Sequence, residues 1–307
     1  MKQFLKSISI SIIIAFVICL VLDYAISDYL QHTHWRKYDT WTKIVNGEFQ
    51  DNDLLIFGSS RAWVQYSPTI LDSVLGVNSY NMGIDGSSAD RQILRWRLYK
   101  KFHNKKPKYI IQNIDYVSTL GKTNGYERDQ FFPFILNTEF RGEVYNCESL
   151  SLAEKYIPMY RYVKYGLYNI LTPEPAPSCK GYEGQYWKWD GRKLREIENI
   201  PFACDSTGYV IFEEFLTDAI RNDSIKVIFV MSPMYYGVKD KAMQLDKMYQ
   251  IYGNIANKYD IPILDYTFCE ISKDTSNFYN AMHLNKKGAE LFSTKLSNDL
   301  QAFRLSK

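Results

Sequence analysis

The stretch Leu54-Leu55-Ile56-Phe57-Gly58-Ser59-Ser60-Arg61 carries four apolar residues straight into a turn of small ones. A run this uniformly apolar does not suit a strand with one wet face; it reads as a strand buried on both sides of a parallel sheet. Outward from it, short apolar runs alternate with helical patterns. Pro68 to Leu75 reads as a short helix and Val77 to Asn81 as a second strand. Ala89 to Phe102 reads as a helix with Ile93, Leu94 and Leu98 on one face, and Tyr109 to Gln112 as a third strand. The pattern resumes with a helix over Tyr209 to Arg221, a strand over Lys226 to Met231, a helix over Ala242 to Tyr259, a strand over Ile263 to Asp265 and a last helix over Lys286 to Phe303. Such alternation predicts an α/β domain built on a mostly parallel sheet.

Parallel strands gather ligand sites at their carboxyl ends. Ser60 follows the first strand, Gly83 and Gly86 the second, and Asn113 and Asp115 the third, while His283 stands at the opening of the last helix in Asn280-Ala281-Met282-His283-Leu284-Asn285. A serine hydroxyl is a weak nucleophile until a base takes its proton, so Ser60 needs a histidine within hydrogen-bond reach. The tetrahedral intermediate of acyl transfer also needs donors for its oxyanion, a role that suits the Ser60 and Gly86 N–H groups. Taken singly, these residues have plainer readings: a helix N-cap for the serines, strand-ending turns for the glycines, a turn for Asn113 and Asp115, and a carboxylate partner for Arg61.

Gly58-Ser59-Ser60, Asn81-x-Gly83-x-x-Gly86 and Met282-His283-Leu284-Asn285-x-x-Gly288 together resemble sequence blocks of the SGNH (GDSL-like) hydrolases, in the family's order. The resemblance implies a flavodoxin-like three-layer α/β/α sandwich and ester hydrolysis or acyl transfer. It implies Ser60 as nucleophile, His283 as base, Gly86 with Gly83 at the oxyanion, and Asn113 as a further donor. No metal or organic cofactor is implied. Two positions depart from the family pattern. The third block, usually Gly-x-Asn-Asp, is Gln112-Asn113-Ile114-Asp115 here, and Asn280 stands where the third catalytic member is normally an aspartate. An asparagine oxygen still accepts the histidine Nδ1 proton, yet stabilises the imidazolium less than a carboxylate does. Asp274, in the preceding loop, is an alternative partner.

The chain of 307 residues opens with Lys2 and Lys6 and an apolar run from Ile8 to Leu22. That length is near the lower limit of a membrane span. The flanking lysines keep the N-terminus cytoplasmic and put the rest across the membrane. A signal anchor is therefore expected over residues 1–30, a cleaved signal peptide being the rival, followed by a juxtamembrane linker over 31–52 and the α/β domain over 53–307. Residues from about 120 to 205, rich in Tyr, Phe, Pro and Gly, are expected to form an irregular insertion that shapes the substrate pocket. A net charge of +3, without a basic patch interleaved with aromatics, argues against nucleic acid. Among 25 Tyr and 6 Trp, Trp187 and Trp189 either stack on sugar or pack the insertion. Cys179 and Cys204 flank one loop-rich segment and are candidates to pair, with unpaired thiols the alternative.

A membrane anchor joined to such a domain also resembles envelope polysaccharide and teichoic-acid acylation proteins, and that resemblance implies a membrane-anchored, extracytoplasmic serine esterase or O-acyltransferase acting on an acylated envelope glycan. The alternative is a binding or scaffolding protein of the envelope that keeps the fold but has lost most catalysis.

Overall fold

The computed structural model describes every residue except 50, 117–118, 122–126, 148–149, 192–201, 241–243 and 303–307. The chain divides into two compact units, one of Met1–Glu48 with Gly125–Ala176, the other of Phe49–Asn124 with Pro177–Lys307.

The second unit is a three-layer α/β/α sandwich. Its sheet contains β1 (Leu54–Phe57), β2 (Ser79–Asn81), β3 (Tyr109–Asn113), β4 (Lys226–Met231) and β5 (Ile263–Asp265), all parallel, in the order β2-β1-β3-β4-β5. This is the flavodoxin-like order, whose switch point lies where β1 is flanked by β2 and β3. Leu54, Ile56, Ile111, Ile228 and Val230 point to one face and pack with Ala62, Leu71, Phe292 and Leu296 of the helices Ser60–Gln65, Pro68–Leu75 and Lys286–Ala302. Phe57 and Phe229 point to the other face, against Trp96, Phe212, Phe215 and Tyr252 of Ala89–Phe102, Ser206–Leu216 and Leu245–Tyr259. Strand alternation thus sends successive side chains into two cores.

The bounds differ in detail from those the sequence predicts. The second strand starts at Ser79, the helix Ser206–Leu216 runs into a π-helical turn over Thr217–Asn222, and the expected helix limits at Ala242 and Phe303 lie outside the described residues. His283 does not open the last helix. It sits on β7 (His283–Leu284), paired antiparallel with β6 (Phe278–Asn280), and the helix begins at Lys286.

The first unit corrects two expectations. Residues 31–52 are not a plain linker, because Arg36–Val45 is a helix with Trp41 fully buried. Trp41 Nε1 donates to Gln130 Oε1 at 2.9 Å, and its ring meets Phe131 and Phe140 edge-on. At ~25 cal/mol per Å2, burying an indole of roughly 200 Å2 contributes about 5 kcal/mol, which a solvated linker lacks. Nor is the middle segment uniformly irregular. It contains a 3-10 helix at Arg128–Phe134 and helices at Thr138–Cys147, Leu152–Tyr156, Tyr160–Tyr165 and Leu167–Leu171. Of the expected insertion, Leu120, Gly121 and the residues from Pro177 onward belong with the sandwich, and 122–126, 148–149 and 192–201 lie outside the described residues. All five cysteines are free thiols, so Cys179 and Cys204 do not pair.

Candidate active site

Strand β1 ends at Gly58, whose φ of +151° favours glycine. A Cβ there would come within 2.6 Å of Ala62 Cβ and 2.9 Å of Asn113 Cβ. The turn can therefore close tightly over β3 and launch the helix Ser60–Gln65. Ser59 is the cap residue, with extended backbone, and Ser60 is the first helical residue, whose N–H has no acceptor within the helix. The two serines are put to different uses. Ser59 is buried and donates to Asp115 Oδ2. Ser60 is half-buried, and its hydroxyl donates to His283 Nε2 at 2.8 Å.

The hairpin of β6 and β7 places Asn280 opposite His283. Asn280 Oδ1 accepts both the Met282 N–H and the His283 Nδ1–H, each at 2.9 Å. The Met282 N–H matters because only an oxygen can face a backbone donor. It turns the amide so that oxygen, not nitrogen, meets the imidazole, and so sets the tautomer with Nδ1 protonated and Nε2 free to accept from Ser60. Other bonds hold the hairpin in register with Ser60. Tyr235 N donates to Ala281 O at 2.9 Å, and Gln65 Nε2, on the Ser60 helix, donates to Met282 O at 3.4 Å. Tyr279 stacks on the imidazole with centroids 5.3 Å apart and planes 24° from parallel.

Enclosure of the ring, reinforced by the nearby positive charge of Arg61, pushes the His283 pKa down to about 3. The imidazole is neutral at physiological pH and ready to accept a proton, but its cation is poorly supported. Arg61 does not pair at a surface rim. It is buried, donates through Nη2 to the Ser232 carbonyl, and lies within electrostatic reach of Asp115.

Of the remaining expected site residues, Gly83 and Asn113 are engaged elsewhere. The Gly83 N–H is taken by Asn81 Oδ1 at 2.8 Å, so it is not an oxyanion donor. Its value is steric: a Cβ would collide with the Trp63 backbone, so glycine lets the loop after β2 lie against the helix Ser60–Gln65. Arg95 Nη1 pins that loop through the Met82 and Gly83 carbonyls at 2.8 and 2.9 Å. Asn113 is fully enclosed, with Oδ1 accepting from Tyr66 OH at 2.7 Å and Nδ2 without a hydrogen-bond partner. It lacks the open face that donation into a cleft requires. Gly86 is exposed in a left-handed turn with φ of +59°. Asp274 caps Ser276 and meets Lys287, so its contacts lie away from the imidazole. Sequence reasoning leaves Asp115 as a turn residue and does not single out Tyr279 or Gln65. An aromatic four residues before the histidine is visible in the chain, but nothing in the spacing requires it to stack.

Among the described residues, no cluster of three or more His, Cys, Asp or Glu forms a metal-binding group. A cavity of about 570 Å3 lined by Ile225, Val227, Ile261 and Leu300 opens at the amino-terminal ends of β4 and β5, opposite the edge that carries Ser60.

No family model matches the chain, and no curated protein does. Solved structures similar to it include GDSL-like lipases and acetylesterases. A GDSL-like lipase from Bacteroides thetaiotaomicron matches at 11% identity and a TM-score of 0.42, covering 83% of this chain and 94% of that one. An acetyl xylan esterase from Butyrivibrio proteoclasticus matches at 10% identity and 0.39, over 83% and 65%. A carbohydrate acetylesterase family member from Sinorhizobium meliloti matches at 11% and 0.33, over 81% and 97%. Likeness at this level assigns no activity to this chain.

Proposed function

We propose that this protein is a serine esterase or O-acyltransferase, anchored in a membrane by its N-terminal helix and acting on an acylated glycan of the cell envelope. The observation that carries the reading is the continuous hydrogen-bond chain from Ser60 Oγ through His283 to Asn280 Oδ1. As Ser60 Oγ attacks the acyl carbonyl, the Oγ–C bond forms, the carbonyl electron pair moves onto oxygen, and the hydroxyl proton passes to Nε2. The Ser60 and Gly86 N–H groups are the proposed oxyanion donors. Collapse expels the alcohol with the proton returned from Nε2, leaving an acyl-enzyme. Water or an acceptor hydroxyl then reverses the sequence, giving hydrolysis or transfer.

For the glycan, support comes from Tyr186 and Trp187, both exposed on a stretch tied to the catalytic hairpin and the helix after it. Lys286 N donates to Gln185 O at 2.7 Å, and Trp189 N to Phe278 O at 3.0 Å. Trp189 itself packs edge-on against Tyr235. For the anchor, support comes from the helix Lys2–Gln31, long and apolar enough to cross a membrane, with Lys2 and Lys6 ahead of its apolar run. A second reading, a catalytically impaired envelope binding or scaffolding protein, is favoured by the neutral Asn280 and the depressed His283 pKa. The purified full chain should cleave p-nitrophenyl acetate, and Ser60→Ala should reduce the rate to background. Equal rates for the two proteins would instead favour the scaffolding reading.

A further inference from the structure

The helix Lys2–Gln31 changes character at one point. Its large apolar side chains from Ile8 to Leu22 are exposed, whereas Asp23, Ser27 and Leu30 are buried. At ~1.5 Å per residue, the apolar run from Ile8 to Leu22 rises about 22 Å, and Phe4 and Leu5 ahead of it extend the rise to about 27 Å, close to a bilayer's hydrocarbon core, with the Lys6 side chain long enough to reach the headgroups. One residue later the helix is clamped. Asp23 accepts the Met159 N–H at 2.7 Å and pairs with the buried Arg161 guanidinium, and Ser27 Oγ and Tyr162 OH share a hydrogen bond of 2.7 Å. The segment Met159–Tyr162 is therefore held within about one helical turn of the place where the apolar run ends.

Around that clamp, large apolar side chains are turned outward. Leu152 and Tyr156 lie four residues apart on one helix face, and Tyr160 and Val163 three apart on the next; Ile157 lies between them, and Tyr168 follows. Leu152 is 75% and Tyr168 84% exposed, unusual values for side chains with nothing to cover them. The single acid of these three short helices, Glu154, is turned inward to Ser151 and Lys164, so the surface presents no exposed carboxylate to anionic headgroups. Tyrosines mixed with aliphatics are the composition of a membrane–water interface.

We infer that the surface of the helices Leu152–Tyr156, Tyr160–Tyr165 and Leu167–Leu171 lies in the headgroup region of the bilayer, a second membrane contact beside the anchor. The inference rests on reading residues 2–22 as a span. The occupant is lipid because the Asp23 clamp sets the depth of this surface at the span's boundary, where lipid headgroups are.

The test places single spin labels, carried by a genetically encoded residue so that the native cysteines remain, at positions 152, 157, 163 and 13 of the full chain. The protein is reconstituted in phosphatidylcholine–phosphatidylglycerol vesicles, and collision rates with oxygen and with a water-soluble nickel chelate are measured. The oxygen-to-nickel ratio at 152, 157 and 163 should exceed that of free label in buffer several-fold and fall below the ratio at 13. Buffer-like ratios at these three sites with a lipid value at 13 would overturn the inference and leave the anchor standing. Loss of collisions with both reagents at the three sites would also overturn it, in favour of a protein covering the surface. A buffer-like value at 13 would overturn the anchor reading and the inference together.

Discussion

On the nucleophile side of the site a carboxylate, Asp115, and a guanidinium, Arg61, are buried beside the Ser59–Ser60 turn; on the hairpin side His283 rests between a neutral amide, Asn280, and a tyrosine ring. A site of this class needs negative charge behind the histidine, to support its cation as the serine loses its proton. Here the carboxylate lies behind the neighbouring serine, where it holds the turn. Burial of the imidazole, with Arg61 adding positive charge toward it, holds the His283 pKa down at about 3. The two sides show that correct hydrogen-bond geometry and correct electrostatics are separable. The hairpin supplies the first through Asn280 and Met282 and gives up part of the second. In the serine-protease template, asparagine for aspartate costs about four decades because it selects the wrong tautomer. The Met282 N–H prevents that error here, so the loss from Asn280 should be smaller and confined to the missing charge.

The largest effect should separate the serines. Ser60→Ala should abolish ester cleavage, while Ser59→Ala, which removes a donor from a buried carboxylate, should lower thermal stability by about 1–3 kcal/mol and leave most of the activity. A dead Ser59→Ala with unchanged melting temperature would reverse the assignment. Next is Asn280→Asp. Placing a carboxylate on Nδ1 should raise the His283 pKa, followed by NMR titration of the imidazole, and speed acyl transfer ~10-fold or more. A slower variant would mean that the amide's role goes beyond orientation. The pH profile comes third: His283 accepts a proton only when neutral, above its pKa. Wild-type activity should therefore hold as pH falls through 6.5, the ordinary histidine value, and be lost near 3. In Asn280→Asp the acid limb should move to higher pH. The smallest effect is Tyr279→Leu, which removes a ring able to stabilise the imidazolium by ~0.5–2 kcal/mol. It should lower both the rate and the His283 pKa, while Tyr279→Phe restores them.

The same contrast separates what the amino-acid sequence reveals by itself from what only folding brings together. The strands are legible because buried parallel strands are continuous apolar runs, and Leu54–Phe57 and Lys226–Met231 stand as expected. Ser60, His283 and Asn280 are legible because their spacing survives in short ordered blocks. The fate of Asp115 is not, because its pairing with Ser59 joins strand ends that only the sheet order β1-β3 makes neighbours. Gly83 is misassigned for a local reason: the Asn81 side chain folds back onto its N–H, a bond that the spacing alone does not announce. The helices between Leu152 and Leu171 have five or six residues each, too few for a 3.6-residue period to declare itself. The one local signal there, the capping box of Ser151 and Glu154, is present in the chain and formed in the structure.

On the proposed mechanism Ser60, activated by His283, is the residue that becomes acylated. Incubating the full chain with a fluorophosphonate and mapping the modified peptide by mass spectrometry tests this most directly. One adduct is expected, on Ser60, lost in His283→Ala and formed more quickly in Asn280→Asp. An adduct on Ser59, or none on the folded protein, would contradict it.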